Sequence, residues 1–531
     1  MASTTHPQDG VLTGRRLAVV FIAMMLSILL VALDQTILAT ALPRIASDFD
    51  AFSLQGWVSS AYILSQTVFI LLYGQSLRLF AAKYLMLSSI AIFEVGSLVC
   101  GVSKNVDQLI AGRTVTGVGA AGIYVTMFQI ISQVTRLEDR PRLFGFFGAV
   151  FGLSSVIGPL IGGAFTDHVT WRWCFLINLP VGGVSLVAVT FLLKAQTPLG
   201  ADPAKRRPRD ILDQFLRMDF FGGLLVAGFV TSLMLALQWG GNTKSWGNYA
   251  VIVSFVFAGV LLVALVFWEI FMKERAMVPT AIFHGRSLRD HRLRIPHPLL
   301  PAPLLLLPPH LYQAVRHRSA TSSGVNLLPF VLGLVFGAIF SDQLVGRTGY
   351  YFPFLVLAPI FLGIGSGLCY TITPNISNAH IIGYQILAGI GTGLGMQNSL
   401  IAMQAEMRHD SKLLGQATSM ASFAQFLGGT LGLGVAEPVF SSELSKYLKQ
   451  YAPEAPASIV KESPTAIYTD LPAEMIPGVV LSYSKALRIV FVIGVPVAGI
   501  ALISSVLIKN IRITPKAKGD EEEVKVEKAE L

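Results

Sequence analysis

Charged side chains are scarce in this sequence: they make up 13% of its 531 residues, whereas hydrophobic residues make up 53%. A soluble domain usually carries about 25% charged residues, so this deficit argues against a chain of several soluble domains. The apolar residues instead come in blocks of about twenty, the length at which a helix crosses a hydrocarbon core of ~30 Å. The composition therefore predicts an all-α polytopic membrane protein, since lipid offers exposed backbone groups no hydrogen-bonding partner.

Other scarcities argue against further classes of function. The three cysteines, Cys100, Cys174 and Cys369, lie in apolar stretches, and their spacing suits neither a disulfide framework nor a metal site. We expect them to be buried, inert thiols. The sequence has no nucleophile motif and no His, Cys or acidic cluster at metal-ligand spacing, so an enzyme, a metal site and a cofactor are not expected. The net charge of +9 lies in short loops between apolar blocks, which argues against a nucleic-acid partner.

Thirteen apolar segments have the length of a membrane span. They cover residues 17–41, 56–75, 84–103, 108–133, 143–165, 174–194, 219–239, 248–270, 324–341, 352–372, 380–404, 413–437 and 487–508. The first is too long for the apolar core of a signal peptide and should act as its own insertion signal. Basic residues recur in alternate loops, at Arg78 and Lys83, Arg136, Arg140 and Arg142, Lys205 to Arg209, Lys273 and Arg275, and Arg408 and Lys412. Because basic loops stay in the cytosol, the N-terminus is predicted to be cytosolic.

This pattern predicts the following organisation of the chain. A cytosolic tail covers residues 1–16, a first bundle of six helices 17–194, and a cytosolic loop with linker helices seven and eight 195–270. A second bundle covers 271–508, with a long external loop at 438–486, and a charged cytosolic tail covers 509–531.

One region breaks the pattern where a ninth span is expected, at 286–318. Residues 286–310 read RSLRDHRLRIPHPLLPAPLLLLPPH, with six prolines and seven Arg or His residues that a lipid-facing helix would not tolerate. Leu, Pro, His and Arg share C-initial codons, so the bias fits a short frameshift or a gene-model error. The alternative is a genuine proline-rich cytosolic loop followed by a short re-entrant piece. Without a crossing here, everything from Gly324 onward would be inverted relative to its basic loops.

The first span contains LDQTILATALPRI, residues 33–45, which places Asp34 inside an apolar helix. A carboxylate is costly there, so a function is expected, either as a protonatable group or as a contact for a cationic substrate. The alternative is a carboxylate satisfied by neighbouring polar groups.

The fourth and fifth spans carry an arginine and a set of glycines. LIAGRTVTGVGAAGI, residues 109–123, puts Arg113 one turn before Gly117 and Gly119. A permanently charged arginine inside the membrane must face a partner or water, and small residues permit close helix contact. GLSSVIGPLIGGAF, residues 152–165, combines five residues that suit either a bending, sliding helix or a tight static crossing: Gly152, Gly158, Pro159, Gly162 and Gly163.

These strings in this order resemble the major facilitator superfamily, specifically its fourteen-span drug:proton antiporter family. WRWCFLINLPVGG (171–183), SGVNLLPFVLG (323–333) and GRTGYYFP (346–353) extend the resemblance, and FEVGSLVCGVSKN (93–105) looks most like the fungal branch associated with toxin and secondary-metabolite efflux. The resemblance implies two six-helix bundles around a central cavity, two linker helices and proton-driven export. It also implies coupling roles for Asp34 and Arg113 and a hinge at Gly158, Pro159 and Gly163.

The loop after the second span departs from the family pattern. It keeps Gly74 and Lys83, but Arg78 stands where the superfamily usually has an aspartate, so the usual charge latch should be weakened or rewired.

Gln129, Gln397 and Asn398 are polar residues in spans that could line the cavity, although helix–helix hydrogen bonds are the common use of such residues. Asn375 begins a sequon predicted to be external, close to the membrane.

The sequence therefore favours a proton-coupled exporter of a hydrophobic or amphipathic small molecule. An importer of siderophore-like chelates would use the same fold, and a non-transporting sensor is a third reading. We expect protons, a small-molecule substrate and the lipid bilayer as partners, a monomeric state, and the cell membrane as the location, with a vacuolar or vesicle membrane as the alternative.

Overall fold

A computed structural model gives the structure of the chain. It describes residues 12–49, 55–199, 208–241, 244–279, 282, 311–318, 320–457, 460, 466–469 and 471–513. Within these residues the secondary structure is helical, with no β-strand. The anomalous segment 286–310 lies outside the described residues, as do the predicted tails over 1–11 and 514–531.

The first bundle is built from seven helices. They are α1 (Gly14–Asp48), α2 (Gln55–Ser76), α3 (Ala82–Val102), α4 (Val106–Val134), α5 (Arg140–His168), the short α6 (Trp173–Leu176) and α7 (Asn178–Leu192). The last two together form one candidate span, Trp173–Leu192. Helix α4 is the centre of this bundle, because it packs on α2 and α3 and its residues are mostly buried.

A linker region and a second bundle follow. The linker helices are α8 (Pro208–Leu216), α9 (Phe220–Trp239) and α10 (Tyr249–Met272). The second bundle contains α11 (Ala320–Val325), α12 (Leu328–Thr348), α13 (Phe352–Cys369), α14 (Asn378–Met396), α15 (Asn398–Glu406), α16 (Leu414–Tyr451), α17 (Ala466–Thr469) and α18 (Ile476–Leu507). Helix α10 exposes apolar side chains around most of its surface, as a lipid-facing helix does.

All thirteen apolar segments predicted from the sequence lie in helices. Twelve helices of the described part are long and apolar enough to cross a membrane, and the thirteenth segment lies in the less apolar α16. The prediction of an all-α polytopic membrane protein is confirmed.

Both ends of the segment predicted as an external loop, 438–486, are helical in the structure. Helix α16 continues to Tyr451, and α18 already begins at Ile476. Polar residues such as Glu443 and Lys446, which form an ion pair one turn apart, end an apolar run without ending a helix. Hydropathy locates the membrane boundary, whereas the helix extends beyond it.

Two seams join the bundles. Helix α5 packs along α12, and α2 packs along α16. Arg142 at the start of α5 contacts Gly346 near the end of α12, so these two helix ends lie on the same face of the molecule. This face also carries Arg78, Arg140 and Lys412 of the basic loops, and we call it the basic end.

Candidate functional site

Asp34 of α1 and Arg113 of α4 form a buried ion pair in the first bundle. The Arg113 Nη1 donates to Asp34 Oδ2 at 2.6 Å, and the side chains are 2% and 0% exposed respectively. A pair removed from water in this way stands only with good geometry and further hydrogen bonds, because desolvating two ions is costly. The sequence named both residues separately, and the structure brings them together.

Three neighbours complete the bonding of this pair. Asn178, at the start of α7, donates from Nδ2 to Asp34 Oδ1 at 3.1 Å and also contacts Ser97 Oγ at 3.1 Å. The Nε of Arg113 donates to the carbonyl oxygen of Val58 at 3.2 Å. The guanidinium also lies 4.3 Å from the centre of the Tyr62 ring, a cation–π distance. Both oxygens of Asp34 therefore accept hydrogen bonds, as an ionised carboxylate does.

Close helix packing places the pair. A side chain at Gly117 would overlap the backbone of Tyr62 on α2, and a side chain at Gly119 would overlap the backbone of Phe93 on α3. These two glycines of α4 therefore let α2 and α3 approach on two sides. Arg113 lies one turn before Gly117, so the same packing encloses its guanidinium. The site lies near the start of α4, toward the end of the bundle opposite the basic end.

A second carboxyl lies beside the pair. Both oxygens of Glu94, on α3, are buried and accept no hydrogen bond from the described residues. Glu94 packs against Gly182 of α7, where any side chain would overlap the carboxyl group. Glu94, an acid in an apolar segment, was not singled out from the sequence, so this position was missed.

The glycines of α5 lie on two different faces. A side chain at Gly158 would overlap Thr36 of α1, and one at Gly162 would overlap Ile37 of the same helix. Thr36 also donates to the carbonyl oxygen of Ser154 at 2.8 Å, so α1 and α5 are tightly joined around Pro159, which lies inside the continuous α5. Gly163 has open space where a side chain would project.

The other face of α5 forms the seam with the second bundle. Gly152 lies against Val335 and Val331 of α12, and Gly145, nearer the basic end, lies against Asp342 and Ile339. The glycine string predicted as a bending helix or a tight crossing therefore serves two contacts: Gly152 faces the other bundle, whereas Gly158 and Gly162 face α1.

Hydrogen bonds between the bundles gather at the basic end. Arg78 donates from Nη1 to Gln416 Oε1 of α16 at 3.2 Å, and Arg140 donates to Gln404 Oε1 of α15 at 3.0 Å. Gly74 lies against Ser419 of α16, where a side chain would overlap it. Lys83 instead donates to the carbonyl oxygen of Thr190 at 2.7 Å, within the first bundle. Arg78, which stands where the family pattern usually has an aspartate, thus donates to a side-chain amide of the opposite bundle.

The segment after α10 lies across the second seam. Gln75 of α2 donates to the carbonyl oxygen of Arg275 at 2.8 Å, and Gln416 of α16 donates to the carbonyl oxygens of Ala276 and Met277 at 3.0 and 3.1 Å. Ala276 and Met277 are fully buried. One residue from each bundle therefore binds the backbone of the same linker segment at the basic end.

The polar residues suggested as cavity lining are buried within helix contacts. Asn398 donates to Ser341 Oγ at 3.1 Å within the second bundle. Gln397 and Gln129 each keep a buried side-chain oxygen without a partner in the described residues, and Gln129 lies close to Gly415 at the basic end. Their role in a cavity stays a prediction.

The remaining sequence-predicted positions are also placed. Asn375 is exposed in the turn between α13 and α14, and Cys100, Cys174 and Cys369 are free and buried. Within the described residues, no three His, Cys, Asp or Glu side chains are grouped to hold a metal ion.

The first bundle matches a known family model. The model is described as the Major Facilitator Superfamily and matches residues 24–285. Among solved structures, the human organic anion transporter MFSD10 has a similar fold, with a TM-score of 0.53 at 13% identity over 93% of this chain and 99% of that one.

Several curated fungal proteins are similar over most of their length. The MFS-type transporter phomT of Diaporthe leptostromiformis is 41% identical over 84% of this chain and 76% of its own. The rubrofusarin-specific efflux pump aurT of Gibberella zeae is 38% identical over 94% and 91%, and the efflux pump aflT of Aspergillus parasiticus is 35% identical over 93% and 96%. The chain belongs to the major facilitator superfamily, alongside fungal MFS-type efflux pumps.

Proposed function

We propose that this chain is a proton-coupled efflux transporter that exports a hydrophobic or amphipathic small molecule across the cell membrane. The observation that carries the proposal is the buried ion pair of Asp34 and Arg113, in a chain whose relatives are named efflux pumps. An ion pair buried in membrane spans is costly, so it marks a functional site by default. The pair and its polar neighbours form the coupling site.

The arrangement of the seams supports alternating access. We infer that the basic end faces the cytosol, because basic loops are retained there. The bonds from Arg78, Arg140 and Arg142 close this end, so the conformation described here would expose its cargo path to the opposite side. Breaking these bonds would open the basic end and let cargo enter from the cytosol.

A vesicle assay tests the coupling. The full chain is reconstituted in liposomes, a pH gradient is imposed, and uptake of the hydrophobic dye Nile red and of rubrofusarin is followed. We expect gradient-driven accumulation with the natural chain and none with Asp34→Asn. Full retained transport by Asp34→Asn would overturn the role of the site, provided that both proteins reconstitute to the same level.

A cell assay decides the direction of transport. Cells that express the chain should accumulate less of the probe than cells with an empty vector. Greater accumulation would instead support import, as expected of a carrier of siderophore-like chelates. Fractionation of the same cells separates the cell membrane from vacuolar or vesicle membranes.

A further inference from the structure

The coupling site contains more acidic groups than basic ones. Asp34 is paired with Arg113, and Glu94 packs against Gly182 of α7, one turn after the Asn178 that bonds Asp34. The other titratable groups around the pair are Tyr62, whose ring the Arg113 guanidinium covers, and the buried thiols Cys100 and Cys174, all neutral in their ordinary state. With both carboxyls ionised, the site would carry a net negative charge inside the bilayer.

The hydrogen bonds divide unequally between the two carboxyls. Asp34 receives Arg113 on one oxygen at 2.6 Å and Asn178 on the other at 3.1 Å. Glu94 receives nothing from the described residues on either oxygen, although both oxygens are buried. Ionising a buried carboxyl that has no partner is far more costly than ionising one held by an arginine and an amide. The two carboxyls are therefore suited to different protonation states.

The two helices that pack around Glu94 also carry the groups that hydrogen-bond the ion pair. Asn178 bonds both Asp34 and Ser97, and Ser97 lies one turn after Glu94 on the same helix, α3. Gly182, one turn after Asn178 on α7, leaves the space that the Glu94 carboxyl fills. A change in the charge of Glu94 would thus reach the ion pair through α3, which carries Glu94 and Ser97, and through α7, which carries Asn178.

We propose that Glu94, rather than Asp34, carries the transported proton, while Asp34 and Arg113 stay paired and position it. This inference rests on the proposed function, because it names the proton carrier of that coupling site. With the basic end closed, hydronium on the opposite side gives a proton to a carboxylate oxygen of Glu94 and becomes water. With the basic end open, the neutral carboxyl gives that proton to water on the basic side, leaving carboxylate and hydronium.

Infrared spectroscopy tests the protonation state without any substrate. Spectra of the full chain in liposomes are recorded as the pH is raised, and the C=O stretch of protonated carboxyl groups is followed. We expect Glu94→Gln to lack one titrating component that the natural chain shows. Glu94→Asp, which keeps a carboxyl, should restore a titrating band. An unchanged spectrum in Glu94→Gln would overturn the proposal.

A matched control separates Glu94 from other buried acids. Asp342 on α12 is fully buried, and its oxygens, like those of Glu94, lack a partner in the described residues, but it lies at the seam with α5. Asp342→Asn should remove a different component and leave that of Glu94 in place. If Asp342→Asn removes the component assigned to Glu94, the assignment is wrong.

Transport adds a readout that a merely structural role would not produce. Glu94→Gln should lose Nile red accumulation driven by a pH gradient but keep exchange of Nile red between compartments of equal pH. Loss of both activities would indicate a structural role and contradict the proposal. If the natural chain itself moves no dye, the proposed function fails for this probe, whereas the infrared result still decides whether Glu94 holds a proton.

Discussion

Arg142 at the start of α5 donates a hydrogen bond of 3.0 Å to the carbonyl oxygen of Gly346, near the end of α12. This bond joins the two bundles and also determines the direction in which α12 runs. Helix α12 must run from the opposite end toward the basic end, so Leu328 lies at the opposite end. Gln75 and Gln416 bind the backbone after α10 at the basic end. The backbone after α10, which precedes 283–310, and Leu328, which follows it, therefore lie at opposite ends of the molecule.

A labelling experiment checks this arrangement. In a chain with its three cysteines replaced, single cysteines are placed at the exposed positions Arg209, Lys412 and Asn375. We expect the first two to react with an impermeant reagent from one side and the third from the other. Labelling of Arg209→Cys and Lys412→Cys from opposite sides would contradict the orientation of the second bundle. Sequencing the transcript across 286–310 is the companion measurement.

Removal of one partner of the buried pair should cost more than removal of both. Asp34→Leu or Arg113→Leu alone leaves a buried charge without its partner, which costs about 3–5 kcal/mol of unfolding free energy. The double replacement removes both charges, so its stability should be well above that predicted by adding the single losses. Thermal unfolding in detergent measures all four proteins. Additive losses would show that the two side chains do not stabilise each other.

The two neighbouring glycines of α5 should respond differently to enlargement. Gly158→Val places a side chain against Thr36 of α1, whereas Gly163 has open space. Overpacking costs about 1–3 kcal/mol, so Gly158→Val should unfold at a lower temperature and lose transport. Gly163→Val is the matched control, with the same change of size and helix propensity. Equal effects at the two positions would contradict the close contact at Gly158.

Gln416 should hold the basic end closed. Its amide donates to two buried carbonyl oxygens of the linker segment and accepts from Arg78. Gln416→Leu leaves these groups unsatisfied, at about 1–3 kcal/mol each. Spin labels at the exposed positions Arg136 and Thr348 measure the separation across the basic end. We expect a larger population at long distance than in the natural chain.

Lys412→Ala is the control for this measurement. Lys412 is exposed on the same face, and its replacement should leave the distance distribution unchanged. A distribution in Gln416→Leu that matches the control would show that the linker segment does not restrain the bundles.

Part of the coupling site could be predicted before the structure was known. Asp34 and Arg113 are charges inside apolar segments, and that cost alone marks them as functional. Glu94 carries the same signal, an acid in an apolar span, but nothing local distinguishes it from a carboxyl at a helix end. Asn178 is an amide in an apolar segment, and such residues commonly make ordinary helix–helix hydrogen bonds. Glu94 and Asn178 are distinguished only by the groups around them, and these groups come from four different helices.

The sequence by itself determined the class of protein, the helical spans and the two charges of the ion pair, because hydropathy and the cost of a buried charge are local properties. The tertiary structure alone decided that Asp34 meets Arg113, that Glu94 has no hydrogen-bond partner among the described residues, and that Arg78 bonds Gln416. It also divided the glycines of α5 between α1 and α12. Such pairings depend on how helices far apart in sequence pack against each other, and the periodicity of a single helix does not encode which neighbour each face meets.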